Sequence, residues 1–416
     1  MNRQWCGTLL LTTLCACNCA VFADQTLSGL AEPALTAVDA SRSWLDHGSG
    51  KLAAGADDGA QAQAAALRLA LAYRLELTDT VAAHVSGDAF AGEHSMAGID
   101  EAYLSWMPVP SSSLRYRWRL GAFLPPLSLE NTAVGWTTPY TLTPSLLNDW
   151  LGEELRAEGA EFVILRPGVQ AASPNSFGLR FGAFHGNDTA GTMLAWRGWA
   201  ANDRVTPLNH TLPLSDSPAF WPGGPFAGAK SDTNPFLSVD SRLGFYVTAD
   251  WQYLDRIKLL AAHYDNRANP VAFADGEIGW HTRFDELGLR WHPLQELELI
   301  AQYLKGDTLA GRYATTRSVY NRFSSWFVLA SESRGPHRVS LRYERFRVTD
   351  EDYTPLDDNN EWGDAWTAAY LYAWHEDISF GAEYLELNST RPIRAALALQ
   401  PAISEQQLRV SVRYRF

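Results

Sequence analysis

The sequence has few charges, no cysteine beyond its first 19 residues and no long apolar run. All four cysteines, Cys6, Cys15, Cys17 and Cys19, lie near the N-terminus. The rest of the chain therefore offers no disulfide framework, zinc cluster or cysteine nucleophile. Only 19% of residues are charged, against about a quarter in soluble domains. The 34 basic and 47 acidic side chains exclude the basic face that a nucleic-acid-binding protein needs.

The N-terminal residues have the features of a secretory signal. Arg3 supplies a positive charge, and Leu9–Val21 is apolar or small, which is too short to span a bilayer as a helix. We therefore predict a signal peptide over residues 1–23 and export of the chain. Two alternatives stay open: a buried N-terminal helix, and lipidation at Cys17, because Leu14–Cys17 resembles a lipoprotein cleavage box.

Aromatic residues and a period of two dominate the rest of the chain. The sequence contains 16 Trp, 16 Tyr and 18 Phe. Apolar and polar residues alternate most clearly in Leu67–Glu76, Leu114–Ala122 and Leu408–Phe416. Such alternation gives a strand one apolar and one polar face. Because it recurs along the chain with aromatics near strand ends, we predict an all-β fold, a transmembrane antiparallel β-barrel.

The same pattern gives the number of strands. Further candidate strands are Val81–Phe90, Ala97–Trp106, Ala160–Leu165, Phe177–His185, Thr192–Trp199, Gly244–Leu254, Ile257–Tyr264, Thr282–Trp291, Leu297–Leu304, Val319–Ala330, Arg338–Val348, Trp366–Trp374 and Ile378–Leu385. Short and long connections alternate after residue 250 but not between residues 64 and 240. A missed strand, such as Ser41–Leu52, and a partner for it would repair the alternation, so we predict 16 to 18 strands.

The expected domain organisation follows from these elements. A signal peptide (1–23) precedes an N-terminal segment (24–63) that can include a first strand, and residues 64–416 form the barrel. Two insertions, Leu124–Arg156 and the proline-rich Ala200–Asp240, are too long for plain connections. We expect one of them to fold inward and narrow the lumen.

The last strand carries the most specific pattern in the chain. Apolar and aromatic side chains stand at every second position up to the final residue: Leu408, Val410, Val412, Tyr414 and Phe416. This pattern resembles the assembly signal of Gram-negative outer-membrane barrels. The chain as a whole resembles a bacterial outer-membrane porin, and is distantly similar to phosphate-selective porins. Segments such as Trp136–Ser145 and Asn187–Trp199 are similar to a poorly characterised group of these porins.

Arginines on the polar strand faces are candidate pore-lining residues. They are Arg68, Arg74, Arg115, Arg117, Arg119 and Arg409. Such a row favours an anion passing through the lumen and disfavours a cation, although the lumen wall of any barrel is polar. In general porins, acids on an inward loop face an arginine cluster. The resemblance therefore implies a constriction loop carrying Asp149, Glu153 and Glu154.

The predicted function is an outer-membrane porin, a passive diffusion channel for small hydrophilic solutes that prefers anions. One alternative is a structural or adhesion barrel with a plugged lumen. A less favoured alternative is an outer-membrane enzyme, because the ten histidines are scattered and no catalytic motif occurs. We expect no cofactor. The expected partners are outer-membrane lipid and lipopolysaccharide, the barrel-assembly machinery, small-molecule solutes and, from the resemblance, a homotrimer.

Overall fold

In the computed structural model, which describes residues 24–56, 61–313, 315 and 317–416, the chain forms a closed barrel of sixteen antiparallel strands. The signal peptide expected over residues 1–23 lies outside the described residues. The barrel strands are β1 (Gln25–Asp39), β2 (Gln61–Thr78), β3 (Val81–Ala91), β4 (Met96–Trp106), β5 (Arg115–Phe123), β6 (Ala157–Arg166), β7 (Asn175–His185), β8 (Gly244–Tyr253), β9 (Ile257–Asp265), β10 (Trp280–Trp291), β11 (Leu297–Gly311), β12 (Ser318–Arg334), β13 (His337–Asp350), β14 (Glu361–Ala373), β15 (Ile378–Thr390) and β16 (Ala402–Arg415). This confirms the predicted antiparallel barrel, with a strand number at the lower end of the predicted range.

The first strand lies within the N-terminal segment and closes the barrel. β1 pairs with β2 from Gln25↔Leu75 to Asp39↔Gln61, and with β16 from Leu30↔Arg415 to Asp39↔Gln406. The suggestion of a strand at Ser41–Leu52 is wrong, because that segment follows β1 and contains a 3₁₀ turn, Trp44–Asp46, and an isolated bridge from Leu52 to Ala201 instead of a strand. Two barrel strands, β6 and β7, lie between the two long insertions, so both insertions emerge from the same end of the barrel.

A second correction concerns Thr192–Trp199, which is not a strand. Its first residues form the short helix α2 (Thr192–Trp196), inside the long connection between β7 and β8. A short apolar run fits a buried helix as well as a strand. The sixteen candidate strands therefore include one segment that is not a strand and omit β1. These two errors leave the total unchanged.

The two faces of each strand meet different surroundings. On β16 the exposed side chains are Leu408, Val410, Val412 and Tyr414, whereas the intervening Arg409, Ser411 and Arg413 are buried. Exposed leucines and aromatics on one face suit a lipid-facing surface, and the polar face turns into the lumen. Short connections such as 79–80, 254–256 and 335–336 mark the periplasmic end, as is usual for such barrels.

Two long connections at the opposite end fold into the lumen. We call them inner loop 1 (124–156), which contains the helix α1 (Leu146–Glu154), and inner loop 2 (186–243), which contains α2. Every residue of α1 is buried. At the centre, Trp150 of α1 packs against Phe284 of β10 and Phe323 of β12, with ring centroids 5.5 Å apart in each pair. No helix among the described residues is long and apolar enough to cross a membrane.

Candidate pore and its inner loops

Carboxylates on the barrel wall hold inner loop 1 in place. Glu344 of β13 accepts a hydrogen bond from the backbone N–H of Leu146 at 2.8 Å, the start of α1. Glu383 of β15 accepts from the N–H groups of Leu142 and Thr143, at 2.6 and 3.1 Å. A buried loop must have its backbone donors satisfied, and here the wall side chains supply the acceptors.

Buried arginines on the wall supply the matching donors. Arg342 of β13 forms ion pairs with Glu130 of the loop at 2.8 Å and Glu344 at 2.7 Å. Arg413 of β16 donates to the backbone oxygens of Thr138, Thr141 and Leu142, at 3.0 to 3.1 Å. Each guanidinium group contacts both the loop and a carboxylate of the barrel wall, Glu344 for Arg342 and Glu32 of β1 for Arg413. The lumen face of the barrel therefore serves as a docking surface for inner loop 1.

Three of the predicted pore-lining arginines are also buried in ion pairs. Arg119 makes a bidentate pair with Glu161 of β6, at 2.8 Å for each bond. Arg68 pairs in the same way with Asp88 of β3, at 3.0 and 2.8 Å. The third is Arg409, which lies 2.6 Å from Asp203 of inner loop 2 and 3.4 Å from Glu32 of β1. Their charge is neutralised locally, so these three offer little field to a passing solute.

The other three predicted arginines lie toward the periplasmic end and keep contact with water. Arg74 is 44% exposed and pairs with Glu76 at 2.8 Å. Arg117 is 36% exposed and lies 3.5 Å from Glu161, whose carboxylate already binds Arg119. Arg115 donates to the side chain of Gln170 at 2.8 Å. Next to Arg74, a cavity of about 290 Å³ opens between the first four strands.

The three acids predicted for a constriction loop lie on α1 and link the two inner loops. Glu153 forms a bidentate pair with Arg197, at 2.8 and 2.6 Å. Asp149 accepts from the N–H of Asn202 at 2.9 Å. Both partners belong to inner loop 2. The inner loops are therefore joined into one body by buried polar contacts.

The third of these acids, Glu154, caps α2. Its carboxylate accepts from the N–H groups of Gly191 and Met193 at 3.1 Å each, and also from the indole N–H of Trp150. Anions are favoured at a helix N-terminus, yet burial outweighs these bonds and raises the pKa of Glu154 to about 7. Burial also raises the pKa of Asp149 well above its usual range.

Together the inner loops cover the lumen wall at mid-height. Every strand of the barrel has at least one inward-facing side chain that is buried. The sequence predicts that the loops are long. It does not identify the residues of inner loop 2 that bind α1 and the wall, which are Arg197, Asn202 and Asp203. Irregular loops have no period, so nothing local marks these side chains as buried.

The C-terminal residue takes part in barrel closure. The backbone N–H and carbonyl of Phe416 pair with Gly29 of β1, at 3.2 and 2.9 Å. Its ring covers the same glycine, where an added Cβ would lie only 2.4 Å from Phe416 Cζ. The residues predicted as an assembly signal, Leu408, Val410, Val412, Tyr414 and Phe416, all lie on the exposed face of the closing strand or directly after it.

Solved outer-membrane proteins match this architecture over nearly the whole chain. The outer-membrane channel DcaP of Acinetobacter baumannii aligns with a TM-score of 0.56 and 12% identity, covering 95% of this chain and 97% of that chain. The anion-selective porin of Comamonas acidovorans gives 0.51 and 12%, covering 95% and 100%. OmpT of Vibrio cholerae, an outer membrane protein solved in a trimer form, gives 0.51 and 8%, covering 95% and 99%.

No protein-family model matches the chain, and neither does any curated protein. At such low identities the structural likeness defines the fold. The chain therefore has the fold of the porin-like outer-membrane β-barrels.

Proposed function

We propose that the barrel is an outer-membrane porin through which small hydrophilic solutes diffuse passively, with a preference for anions. The fold supports the channel part of this proposal, because its neighbours are mostly porins. The charge of the water-accessible lumen supports the preference for anions.

That charge is carried by inward-facing side chains near the periplasmic end, which are exposed or only partly buried. Its cations are Arg74, Arg115, Arg117, Arg180, Lys258, Arg290, Arg338 and Arg415, and its carboxylates are Glu76, Glu101, Asp250 and Glu298. The cations outnumber the carboxylates, although the chain as a whole is acidic. The charges of the buried ion pairs farther from the periplasmic end cancel one another. The side chains just named, which we call the periplasmic ring, therefore determine the sign of the charge in the water-accessible lumen. A confined cationic ring attracts anions and repels cations.

The burial of the wall at mid-height favours a second candidate, a barrel that stays plugged. In the conducting candidate, the path for solutes runs beside the inner loops or opens when these loops shift away from the wall. Their anchors are polar and charged side chains rather than a purely apolar interface, and such contacts can exchange with water. A plugged barrel would keep these contacts permanently and pass no current.

Planar-bilayer recording tests both candidates. The refolded barrel is inserted into a lipid bilayer, and its single-channel conductance and its reversal potential in a salt gradient are measured. Stepwise conductance with an anion-selective reversal potential supports the proposal. Cation selectivity would support a channel but refute the preference for anions. A folded barrel with no conductance would favour the plugged candidate.

We also propose passive transport rather than catalysis, and a homotrimer as the assembled form, since OmpT of Vibrio cholerae has a trimer form. Lipopolysaccharide, outer-membrane lipid and the barrel-assembly machinery are the remaining proposed partners. Electrophoresis without heating measures the oligomer: a band at three times the monomer mass supports the trimer, and a monomer band under mild extraction refutes it.

A further inference from the structure

The outward face of the barrel carries an apolar groove with a volume of about 1040 Å³. The groove crosses seven neighbouring strands, β6 to β12, which lie about 4.8 Å apart, so it is much wider than one acyl chain. Its lining includes the small side chains of Ala249, Ala261 and Ala301 beside larger ones such as Leu289 and Val328. Because this face meets the membrane, the groove is open to lipid.

Aromatic side chains mark the extracellular edge of the membrane-facing surface. Tyr303 of β11 lies opposite Trp326 of β12, and both line the groove. The ring centroid of Tyr343 lies 5.7 Å from Trp326 and 4.5 Å from Trp366. Aromatic girdles of this kind lie at the membrane interfaces of outer-membrane barrels. Outward side chains beyond this girdle therefore lie at the level of the lipid headgroups of the outer leaflet.

The outward side chains just beyond the girdle on β10 to β13 are predominantly basic. Two of the charged ones are carboxylates, Asp285 and Asp307, and five are cations, which we call the basic patch: Arg283, Lys305, Arg322, Arg345 and Arg347. A cavity of about 460 Å³ opens within the patch and is lined in part by Lys305 and Arg322.

The basic patch surrounds a small polar residue, Ser324 of β12. Lys305 and Arg347 are its partners in register on the two neighbouring strands. Arg322 stands two residues away on the same strand and face, which corresponds to about 7 Å. A serine among long basic side chains leaves space between them, and an anionic group can enter that space. Arginine and lysine are the side chains that bind phosphate.

The carboxylates nearby leave most of this positive charge uncompensated. Asp285 pairs with His263 at 2.8 Å, and Asp307 pairs with Arg283 at 3.0 Å. Arg322 is 58% exposed and lies 3.5 Å from Glu351. The other three cations of the patch have no carboxylate partner within 4 Å among the described residues. They are Lys305, Arg345 and Arg347, and all three are exposed.

We propose that the groove and the basic patch together bind one lipopolysaccharide molecule of the outer leaflet. A phosphate of its lipid A headgroup lies at Ser324 inside the patch, and its acyl chains extend along the groove. The inference rests on the outer-membrane location of the proposed porin and assigns a site to a lipid partner proposed above. A free phosphate would leave the groove unused, and an apolar protein surface would leave the patch unused. Lipopolysaccharide combines phosphate groups with several acyl chains and therefore uses both.

Native mass spectrometry with purified lipid A tests the proposal. The refolded barrel is incubated in detergent micelles with increasing lipid A, and the bound lipids are counted on the folded protein. We expect saturable binding of one lipid A that excess inorganic phosphate does not displace. Displacement by inorganic phosphate would show that only the anion is recognised, and equal binding of dephosphorylated lipid A would show that the patch is not used. Either result would overturn the proposal.

Two sets of variants locate the lipid. The double variant Lys305→Gln/Arg322→Gln should weaken lipid A binding roughly 30-fold, or about 2 kcal/mol at about 1 kcal/mol for each basic side chain near an anionic lipid surface. Ala301→Trp fills the groove and should also weaken binding. The matched control is Arg256→Gln/Arg334→Gln, which removes two exposed arginines at the periplasmic end and should leave binding unchanged. Equal loss in both double variants would indicate attraction by net charge alone and would refute the site.

Further readouts separate this site from other interpretations. Heat-modifiable mobility verifies that each variant is folded. Lipid binding requires no current, so a barrel that conducts but does not bind lipid A saturably refutes the lipid site alone. A barrel that binds lipid A but does not conduct refutes the channel alone. If Ala301→Trp dissociates an oligomer and leaves lipid A binding unchanged, the groove is an interface between copies of the chain, and the proposal is overturned.

Discussion

Replacing Arg342 should release inner loop 1 while leaving the barrel closed. This side chain faces the lumen from β13 and is fully buried. It donates six hydrogen bonds, to Glu344 Oε1, Glu130 Oε1, Thr141 Oγ1, Thr143 O, Pro144 O and Thr367 Oγ1, at 2.7 to 3.2 Å. Arg342→Met keeps most of the volume but leaves Glu130 and Glu344 buried without their cation.

The size of the effect follows from that uncompensated charge. Removing one partner of a buried ion pair costs about 3 to 5 kcal/mol. At 1.36 kcal/mol for each factor of ten, the docking equilibrium of the loop should shift by roughly 150- to 5,000-fold. The strand ladders on either side of β13 are backbone interactions and remain. The cost therefore falls on the loop and not on the closure of the barrel.

Hydrogen exchange of the α1 amides measures this shift directly. The amides of Leu146–Glu154 should lose protection by that factor in Arg342→Met, up to the limit set by other openings, while barrel amides keep theirs. Adding Glu130→Gln should restore part of the protection, because one unpaired charge disappears. Arg345→Met removes an exposed arginine three residues along the same strand and serves as the control. Unchanged protection of α1 in Arg342→Met would refute the anchoring role.

Three further predictions concern pH, ion selectivity and closure. Burial raises the pKa of Glu154 from 4.5 to about 7. The contribution of Glu154 to the docking of α1 on α2 is therefore fully present below about pH 4.5 and is lost as the pH rises through 7. Glu154→Gln should flatten this part of the pH dependence of α1 hydrogen exchange. Arg117→Gln should move the reversal potential toward cation selectivity, because it removes one charge of the periplasmic ring. The control Arg347→Gln changes an exposed position on the opposite strand face and should leave the reversal potential unchanged. Equal reversal potentials in the two variants would contradict the role of the ring. In Gly29→Leu the new side chain should collide with the ring of Phe416, which lowers the stability of the closed barrel by about 1 to 3 kcal/mol. The yield of heat-modifiable barrel should fall. An unchanged yield would show that the Phe416 ring moves aside freely.

The sequence was sufficient for the strands whose two faces differ strongly. The alternation of large apolar side chains with arginine or small residues predicts β2 and β5, because the lipid and the lumen favour opposite polarities on the two faces of a strand. The sequence pattern does not predict β1, because its outward face carries small residues such as Gly29, Ala31 and Ala37. The hydropathy of its two faces therefore differs little. A strand of this kind is evident only from its partners: its register against β2 and β16 supplies the order that its own composition lacks.

The pore wall shows the other limit of sequence reasoning. Arg117 and Arg119 stand two residues apart on one face of β5 and look equivalent in the sequence. Opposite them on β6 stand Val163 and Glu161. Arg119 therefore binds the Glu161 carboxylate directly at 2.8 Å, whereas Arg117 reaches the same carboxylate only from the neighbouring position, at 3.5 Å, and stays 36% exposed. Alternation places both arginines on the lumen face, but the cross-strand register determines which of them is neutralised by a carboxylate at close range. The sign of the charge in the water-accessible lumen therefore depends on how many exposed arginines exceed their acidic neighbours, and the number of arginines on the polar faces does not determine it.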